Sequence, residues 1–97
     1  MIDLDKIGMM PCEIQKEIAR KEKQRRKADG ISQAEMARRT GMSLSSVRRF
    51  EQTGEISFSS LIKIAGVLYD EDAFLHLFEP KEFRTMKELM DAERKKR

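Results

Sequence analysis

The side chains best suited to binding a ligand are lysines and arginines that gather in three short segments. The first segment holds seven basic residues against two acids, and its basic members are Lys16, Arg20, Lys21, Lys23, Arg25, Arg26 and Lys27. The second holds Arg38, Arg39, Arg48 and Arg49, and the third is 94–97. The net charge is only +3, but clustered positive charge that faces a polyanion matters more than the total. Solvated helix faces are the alternative explanation for each segment.

Other kinds of chemistry have few side chains to carry them. Cys12 is the only cysteine and His76 the only histidine, which excludes an internal disulfide and a cysteine-based metal cluster. The sequence has no glycine-rich phosphate loop, and an acidic pair such as Glu71 and Asp72 suits the start of a helix. We therefore predict that the protein is not an enzyme and uses neither a metal nor a cofactor.

Length and composition are typical of one small folded domain. The 97 residues are 39% hydrophobic and 38% charged, which allows a modest core and leaves charge for exposed faces or arms. No apolar run approaches the roughly 20 residues of a membrane span, and the acidic N-terminus does not resemble a signal peptide. We predict a cytoplasmic protein with an N-terminal arm at 1–10, a folded domain at 11–79 and a basic helical tail at 80–97.

Helix start and stop signals predict an all-α fold of five helices with one more in the tail. Pro11 suits a first helical turn, Gly30 and Gly41 suit helix ends, and Ser32, Ser43 and Ser57 can each cap a helix start. The predicted helices cover 11–28, 33–40, 44–52, about 58–68, and a stretch from Asp70 or Asp72 that ends at Pro80. The fourth helix is predicted to be buried because nearly all of its residues are apolar.

Two capping boxes add detail to these boundaries. In the first, Ser32 is expected to accept from the Glu35 N–H while the Glu35 carboxylate reaches back. The second, at Thr85 and Glu88, opens the predicted tail helix, in which Met86, Leu89 and Met90 form a short apolar stripe.

The segment from Gln33 to Glu51 has the spacing of two short helices packed at a steep angle. Ala37 supplies the small residue needed where the helices touch, and Gly41 supplies the positive φ of a tight turn. Val47 and Phe50 are three residues apart, so both face inward and lock the second helix of the pair onto the first.

With these residues the segment resembles the helix-turn-helix of the lambda-repressor/Cro (Xre) family, over about 26–77. The resemblance implies a five-helix lambda-repressor-like DNA-binding domain and an ion pair between Arg26 and Glu51. Removing one partner of such a pair, where it is buried, costs roughly 3–5 kcal/mol. The sequence departs from the family at Glu22 and Arg25, where inward positions are usually apolar. Either the first helix is rotated, or it protrudes and packs on a partner.

In this architecture the third helix enters the major groove of DNA. The outward positions of that helix are then the base-reading candidates, namely Leu44, Ser45, Arg48 and Arg49. An arginine can donate two hydrogen bonds to guanine, and Leu44 can contact a thymine methyl group. Phosphate contacts are expected from Gln33, Ser43, Gln52 and Thr53, with added charge from Arg38 and Arg39.

The sequence leaves the biological role open between three alternatives. The first is a repressor that binds a palindromic operator as a twofold dimer, with Phe74, Leu75 and Phe78 either at the dimer interface or completing the monomer core. The second is a HipB-like antitoxin, which the chain resembles in its N-terminal Pro-x-Glu-Ile segment, its Phe-Glu-Pro stretch and its basic tail. Such antitoxins repress their own operon and bind a kinase toxin. The third is a protein-interaction adaptor that does not bind DNA.

Overall fold

The computed structural model describes residues 9–80 and Met90, and all regular structure in this part of the chain is helical. Five helices follow one another: α1 Pro11–Ala28, α2 Gln33–Thr40, α3 Leu44–Thr53, α4 Phe58–Val67 and α5 Asp72–Leu75. The predicted all-α class is therefore confirmed. The predicted capping box at Thr85, the tail helix that it opens and most of the predicted N-terminal arm lie outside the described residues.

Serine side chains begin three of these helices, as the sequence predicts. The hydroxyls of Ser32, Ser43 and Ser57 accept hydrogen bonds from the backbone N–H three residues further on, at 3.0, 3.1 and 3.2 Å. Each bond satisfies a donor that the first helical turn leaves without a partner. The second half of the predicted capping box is replaced, because the Glu35 carboxylate binds Arg38 and Arg39 instead of reaching back.

The core forms where α2 and α3 meet. Phe50, Met36, Ile64 and Val47 are its largest fully buried side chains. Gly41, between the two helices, has a φ of 75°, a left-handed conformation that glycine adopts without steric cost. Ala37 is also buried, as a close approach of the two helices requires. The four residues singled out by spacing thus build this corner of the fold.

Helix α1 packs along α3 through one face that buries Ala19, Glu22 and Arg26. Its N-terminal half passes very close to Gly54, which follows α3 with a φ of 82°. A Cβ atom at Gly54 would lie 2.7 Å from the backbone carbon of Gln15, so only glycine allows this approach. Arg25 lies outside the buried face and donates to the Leu68 carbonyl at 2.6 Å.

The prediction of a buried fourth helix is wrong for the described chain. Within α4 only Ile64 is buried, while Leu61, Ile62, Ala65 and Val67 are half-buried and Phe58 is 61% exposed. The physical reason is that the described helices cover one side of α4. Its other side faces a groove of about 580 Å³, which lies between α1 and α4–α5. We call this the α1–α4 groove, and its apolar lining includes Ile18, Leu61, Ala65, Leu68, Ala73 and Phe74.

The fifth helix is shorter than predicted. It has four residues and ends at Leu75, so Leu77 and Phe78 follow it in turns rather than in a helix that continues to Pro80. Leu75 is 75% exposed and Phe78 93% exposed. These two side chains therefore do not complete the core formed by the described residues. His76 is an exposed residue whose ring contacts the Asp72 and Glu79 carboxylates.

Candidate nucleic-acid interface

Helix α3 has an inner and an outer face that follow directly from its sequence. Val47 and Phe50 are buried at 0% and 1% exposure and hold the helix in the core. Arg48 and Arg49, which lie between them, and Ser45, in the first turn of the helix, are exposed. Three of the four residues predicted to read bases therefore share an open surface.

Leu44 differs from the other three candidate readers. It is half-buried and packs against the hydrophobic core cluster. Part of its side chain is thus used to seat the first turn of α3, and only the remainder is open to a ligand.

The serines at the start of α3 are tied together. The Ser43 hydroxyl caps the helix and also contacts the hydroxyls of Ser45, at 3.1 Å, and Ser46, at 2.8 Å. Hydroxyl groups can rotate to donate or accept, so this cluster can exchange its internal bonds for bonds to a ligand.

The two arginines of α3 stand in different surroundings. One Arg49 guanidinium nitrogen lies 2.5 Å from a Glu55 carboxylate oxygen, and both side chains are more than half exposed. Arg48 makes no ion pair with any described residue. Arg48 can therefore reach a ligand directly, whereas Arg49 must first leave Glu55.

Most of the side chains expected at phosphates also have partners. The Gln33 amide donates to Glu51 at 3.0 Å, and Arg38 and Arg39 both bind the Glu35 carboxylate, holding its pKa at about 2. The Thr53 hydroxyl donates to the Arg49 carbonyl and accepts from the Glu55 N–H. Gln52 is exposed at the end of α3. These contacts shape the surface around α3 and leave less free charge on it than the sequence suggests.

Arg26 and Glu51, for which the resemblance implies an ion pair, make two parallel hydrogen bonds. Nε and one terminal nitrogen of Arg26 donate to the two Glu51 oxygens at 2.7 and 2.9 Å. The other terminal nitrogen donates to the Ile31 carbonyl at 2.8 Å. The side chains are only 6% and 2% exposed, so this paired fork joins α1, the start of α2 and the end of α3 inside the protein.

Glu22 is a third ionisable residue at this junction of α1, α2 and α3, and it is unusual because it has no hydrogen-bond partner there. Its side chain is buried, and neither carboxylate oxygen has a hydrogen-bond partner among the described residues. Burial, together with the nearby Glu51 carboxylate, raises the pKa of Glu22 to about 8. Burial also acts to raise the pKa of Glu51, but hydrogen bonds from Arg26 and Gln33 outweigh it and hold that pKa well below its usual range. These opposite shifts favour the protonated form of Glu22 and the charged form of Glu51.

The position of Glu22 answers the question raised by the sequence of α1. The helix uses the inward face that the resemblance implies, since Arg26 reaches Glu51 and Ala19 is buried. Glu22 occupies that face with its carboxyl group buried, and Arg25 turns outward to the Leu68 carbonyl. The alternative of a rotated first helix is thereby excluded.

Two contributors to this surface were missed by sequence reasoning. Glu55 falls between the predicted third and fourth helices and has no predicted role, although an acid six residues after Arg49 lies within reach of it. Gly54 falls in the same interval, and its contact with Gln15 depends on the path of α1. The helix-ending glycine was a visible signal, but the approach of α1 was not.

Helices α2 and α3, with the tight turn between them, form a helix-turn-helix. Comparison with known families agrees, because residues 23–68 match the helix-turn-helix family. Residues 23–68 thus form a helix-turn-helix domain of the lambda-repressor/Cro (Xre) type, a class of DNA-binding regulatory domain. No curated protein and no solved structure matches the chain significantly. None of the described helices combines the length and apolar character needed to cross a membrane.

Proposed function

We propose that this protein is a sequence-specific DNA-binding transcriptional repressor that inserts α3 into the major groove. The observation that carries the proposal is the exposed row Ser45, Arg48 and Arg49 on a helix fixed from behind by Val47 and Phe50. A rigid helix that presents arginines can donate two hydrogen bonds to the O6 and N7 atoms of guanine. Because the proposed ligand is operator DNA, we propose that the protein acts in the cytoplasm.

In this proposal Arg48 and Arg49 read bases, Ser45 reaches a base edge or a phosphate, and the exposed part of Leu44 contacts a thymine methyl group. Phosphates are bound at the start of α2 and around α3. Free N–H groups at a helix N-terminus favour anions, which suits Gln33 and Ser43. Gln52 and Thr53 at the end of α3, and Arg38 and Arg39 on α2, complete the proposed set.

The test begins with selection of bound duplexes from a random pool, using the full chain, to obtain an operator. Arg49→Ala is expected to weaken operator binding by about 1–3 kcal/mol and to relax preference at one base pair. The comparison variant is Arg38→Ala, because Arg38 also pairs with a carboxylate but is a proposed phosphate contact on α2. Arg38→Ala should weaken binding to operator and random duplexes equally and leave the base preference unchanged. Loss of affinity by Arg49→Ala that is equal on operator and random duplexes would contradict base reading. Failure of the wild type to enrich any sequence would favour the adaptor role.

We further propose that two copies bind a palindromic operator through a twofold interface formed by α5 and the residues after it. Leu75, Leu77 and Phe78 are 75%, 52% and 93% exposed, and exposed apolar surface of this extent is typical of an interface. The α1–α4 groove is lined by Ala73 and Phe74 of the same helix. A second copy can cover both surfaces, because a twofold contact brings the same patch from each chain together.

The antitoxin role is a second proposal, favoured by the surface near the start of α1. Ile14, in the Pro-x-Glu-Ile segment that resembles such antitoxins, is 44% exposed, and Ile18 one turn later is 43% exposed. These side chains offer an apolar strip to a protein partner. The test is the neighbouring gene: if it encodes a kinase-like protein, the two proteins should purify together, and Ile14→Glu should separate them. A neighbouring gene of another kind would contradict this role.

A further inference from the structure

Helix α1 carries a row of basic residues that the helix-turn-helix itself does not use. Lys16, Arg20, Lys23 and Lys27 are separated by four, three and four residues, a spacing that puts them on one face of a helix. All four side chains are exposed. Arg20 pairs with Glu17 at 2.7 Å, while the three lysines make no ion pair with any residue in 9–80. We call Lys16, Lys23 and Lys27 the lysine row.

The lysine row occupies a definite side of α1. The buried face of the helix holds Ala19, Glu22 and Arg26, and the groove side holds Ile18 and Arg25. With successive residues about 100° apart, the lysine row lies on the flank of the buried face opposite to Ile18 and Arg25. Thus α4 and α5 lie beside one flank, and the other flank presents the lysine row and the Glu17–Arg20 pair.

The same helix runs between the two ends of the proposed DNA-binding surface. Near its start, the Gln15 amide donates to the Gly54 carbonyl at 3.4 Å, just after the end of α3. Near its end, Arg26 binds Glu51, which also accepts from Gln33 at the start of α2. Lys16 is adjacent to Gln15 and Lys27 to Arg26. The lysine row therefore spans the distance between the two places where phosphate contacts are proposed.

Free positive charge is scarce elsewhere on this surface. Arg49 is paired with Glu55, and Arg38 and Arg39 share Glu35. The lysine row and Arg48 are therefore the cations that can neutralise phosphates without giving up a carboxylate. Such neutralisation releases counterions from DNA, and it supplies most of the sequence-independent affinity of a DNA-binding protein.

We infer that the lysine row of α1 is a second DNA-binding surface, which contacts the phosphate backbone beside the groove entered by α3. This inference rests on the proposed function and adds to it a source of affinity that carries no base preference. An acidic protein would be attracted by the same charges, but the position of the row beside both proposed phosphate contacts favours DNA.

The experiment measures how the affinity of the full chain for the selected operator, and for a random duplex, depends on salt. The double variant K16Q/K23Q is compared with the matched control K21Q/K63Q, which removes two exposed lysines that lie off the row. Each phosphate contact contributes about −0.9 to the slope of log K against log salt, so K16Q/K23Q should make the slope less negative by about 1.8 per chain. Adding K27Q should make it less negative by about 0.9 more.

The control should leave the slope close to that of the wild type, and K16R/K23R should restore it. Base preference should be the same in all of these variants. Equal slopes for K16Q/K23Q and K21Q/K63Q would overturn the inference while leaving the proposed function intact. Circular dichroism confirms that each variant is folded. If the wild type selects no operator, the proposed function fails instead, and that result is seen before any variant is made.

Discussion

The two sides of α1 make different kinds of contact with the rest of the domain. On one side, the junction with α2 and α3 buries Arg26, Glu51 and Glu22, and a glycine lets the backbones approach closely. On the other side, α1 faces α4 and α5 across an open apolar groove. Charged junctions of this kind tolerate little rearrangement, since a buried charge needs its partner, whereas apolar surfaces can be covered by different partners. From this contrast we infer that the junction of α1 with α2 and α3 is the rigid half of the domain, which positions α3. The groove side, with α4 and α5, is the adaptable half, which contacts other molecules.

The largest effect is expected at the buried ion pair. Arg26→Ala leaves the Glu51 carboxylate buried without its main partner, and removing one member of such a pair costs roughly 3–5 kcal/mol. Arg20→Ala is the matched control, because it breaks an exposed pair with Glu17 on the same helix and should leave the unfolding midpoint unchanged. Urea unfolding followed by circular dichroism measures both. Equal losses in the two variants would show that the junction is not the rigid half.

The next prediction concerns the stability cost of alanine at Gly41 and Gly54, two glycines with a left-handed backbone conformation. Gly41→Ala should cost about 1–2 kcal/mol, the penalty for an L-residue in that conformation, because nothing lies within 4 Å of the new methyl group. Gly54→Ala adds a clash with the Gln15 backbone at 2.7 Å, and overpacking of this kind costs about 1–3 kcal/mol more. In the same unfolding experiment, Gly54→Ala should therefore lower the free energy of unfolding more than Gly41→Ala does. The reverse ranking would mean that α1 can move away from α3.

A further effect is expected in the pH dependence of stability. Folding raises the pKa of Glu22 from 4.5 to about 8, so the folded chain binds one more proton than the unfolded chain between these values. The free energy of unfolding should then fall as the pH rises from 5 to 8. Glu51, whose pKa is lowered, contributes its own pH dependence below 4.5, outside this window.

Glu22→Gln removes the titrating group, so its stability should change less between pH 5 and pH 8 than that of the wild type. Glu17→Gln is the control, because the Arg20 hydrogen bond lowers the pKa of Glu17 and places its titration below the same window. Parallel stability curves for wild type and Glu22→Gln would contradict a neutral Glu22. Urea midpoints at closely spaced pH values provide the comparison.

The smallest effect on stability is expected on the groove side. Leu75 is 75% exposed, so Leu75→Glu should change the stability of a single chain by no more than about 0.5 kcal/mol. The same substitution places a charge in the proposed twofold interface, and it should shift the protein from dimer to monomer in sedimentation experiments. Ala34→Glu, on the exposed side of α2, should sediment as the wild type does. Identical sedimentation of the wild type and Leu75→Glu would contradict this interface.

The parts of the fold that depend on neighbouring residues were predictable from the sequence. Serine caps, helix-ending glycines and the inward spacing of Val47 and Phe50 act within a few residues, and they gave the helix-turn-helix almost to its ends. The burial of α4 and α5 was not predictable in this way, because an apolar helix is buried only where another part of the protein packs against it. Composition indicates that Leu75 and Phe78 prefer burial, but not whether their own chain supplies the cover.

The candidate site shows the same division. The exposure of Ser45, Arg48 and Arg49 follows from the helical repeat once the inward residues are known. The partners of these side chains cannot be derived from the helical repeat, since the turn at Gly54 is what brings Glu55 close to Arg49. The burial of Glu22 depends on contacts between α1 and α3, and a charged residue in an inward position is ambiguous until that packing is seen.

The contact between Arg49 and Glu55 has a consequence for selectivity in the proposed function. A carboxylate offers the guanidinium two acceptor oxygens, as a guanine edge offers O6 and N7. Glu55 therefore acts as an internal competitor for Arg49. On a duplex without a guanine in register, Arg49 keeps its carboxylate, and Glu55 stays close to a negatively charged backbone. On the operator the guanine replaces Glu55, so the protein gives up some total affinity and gains discrimination between right and wrong sequences.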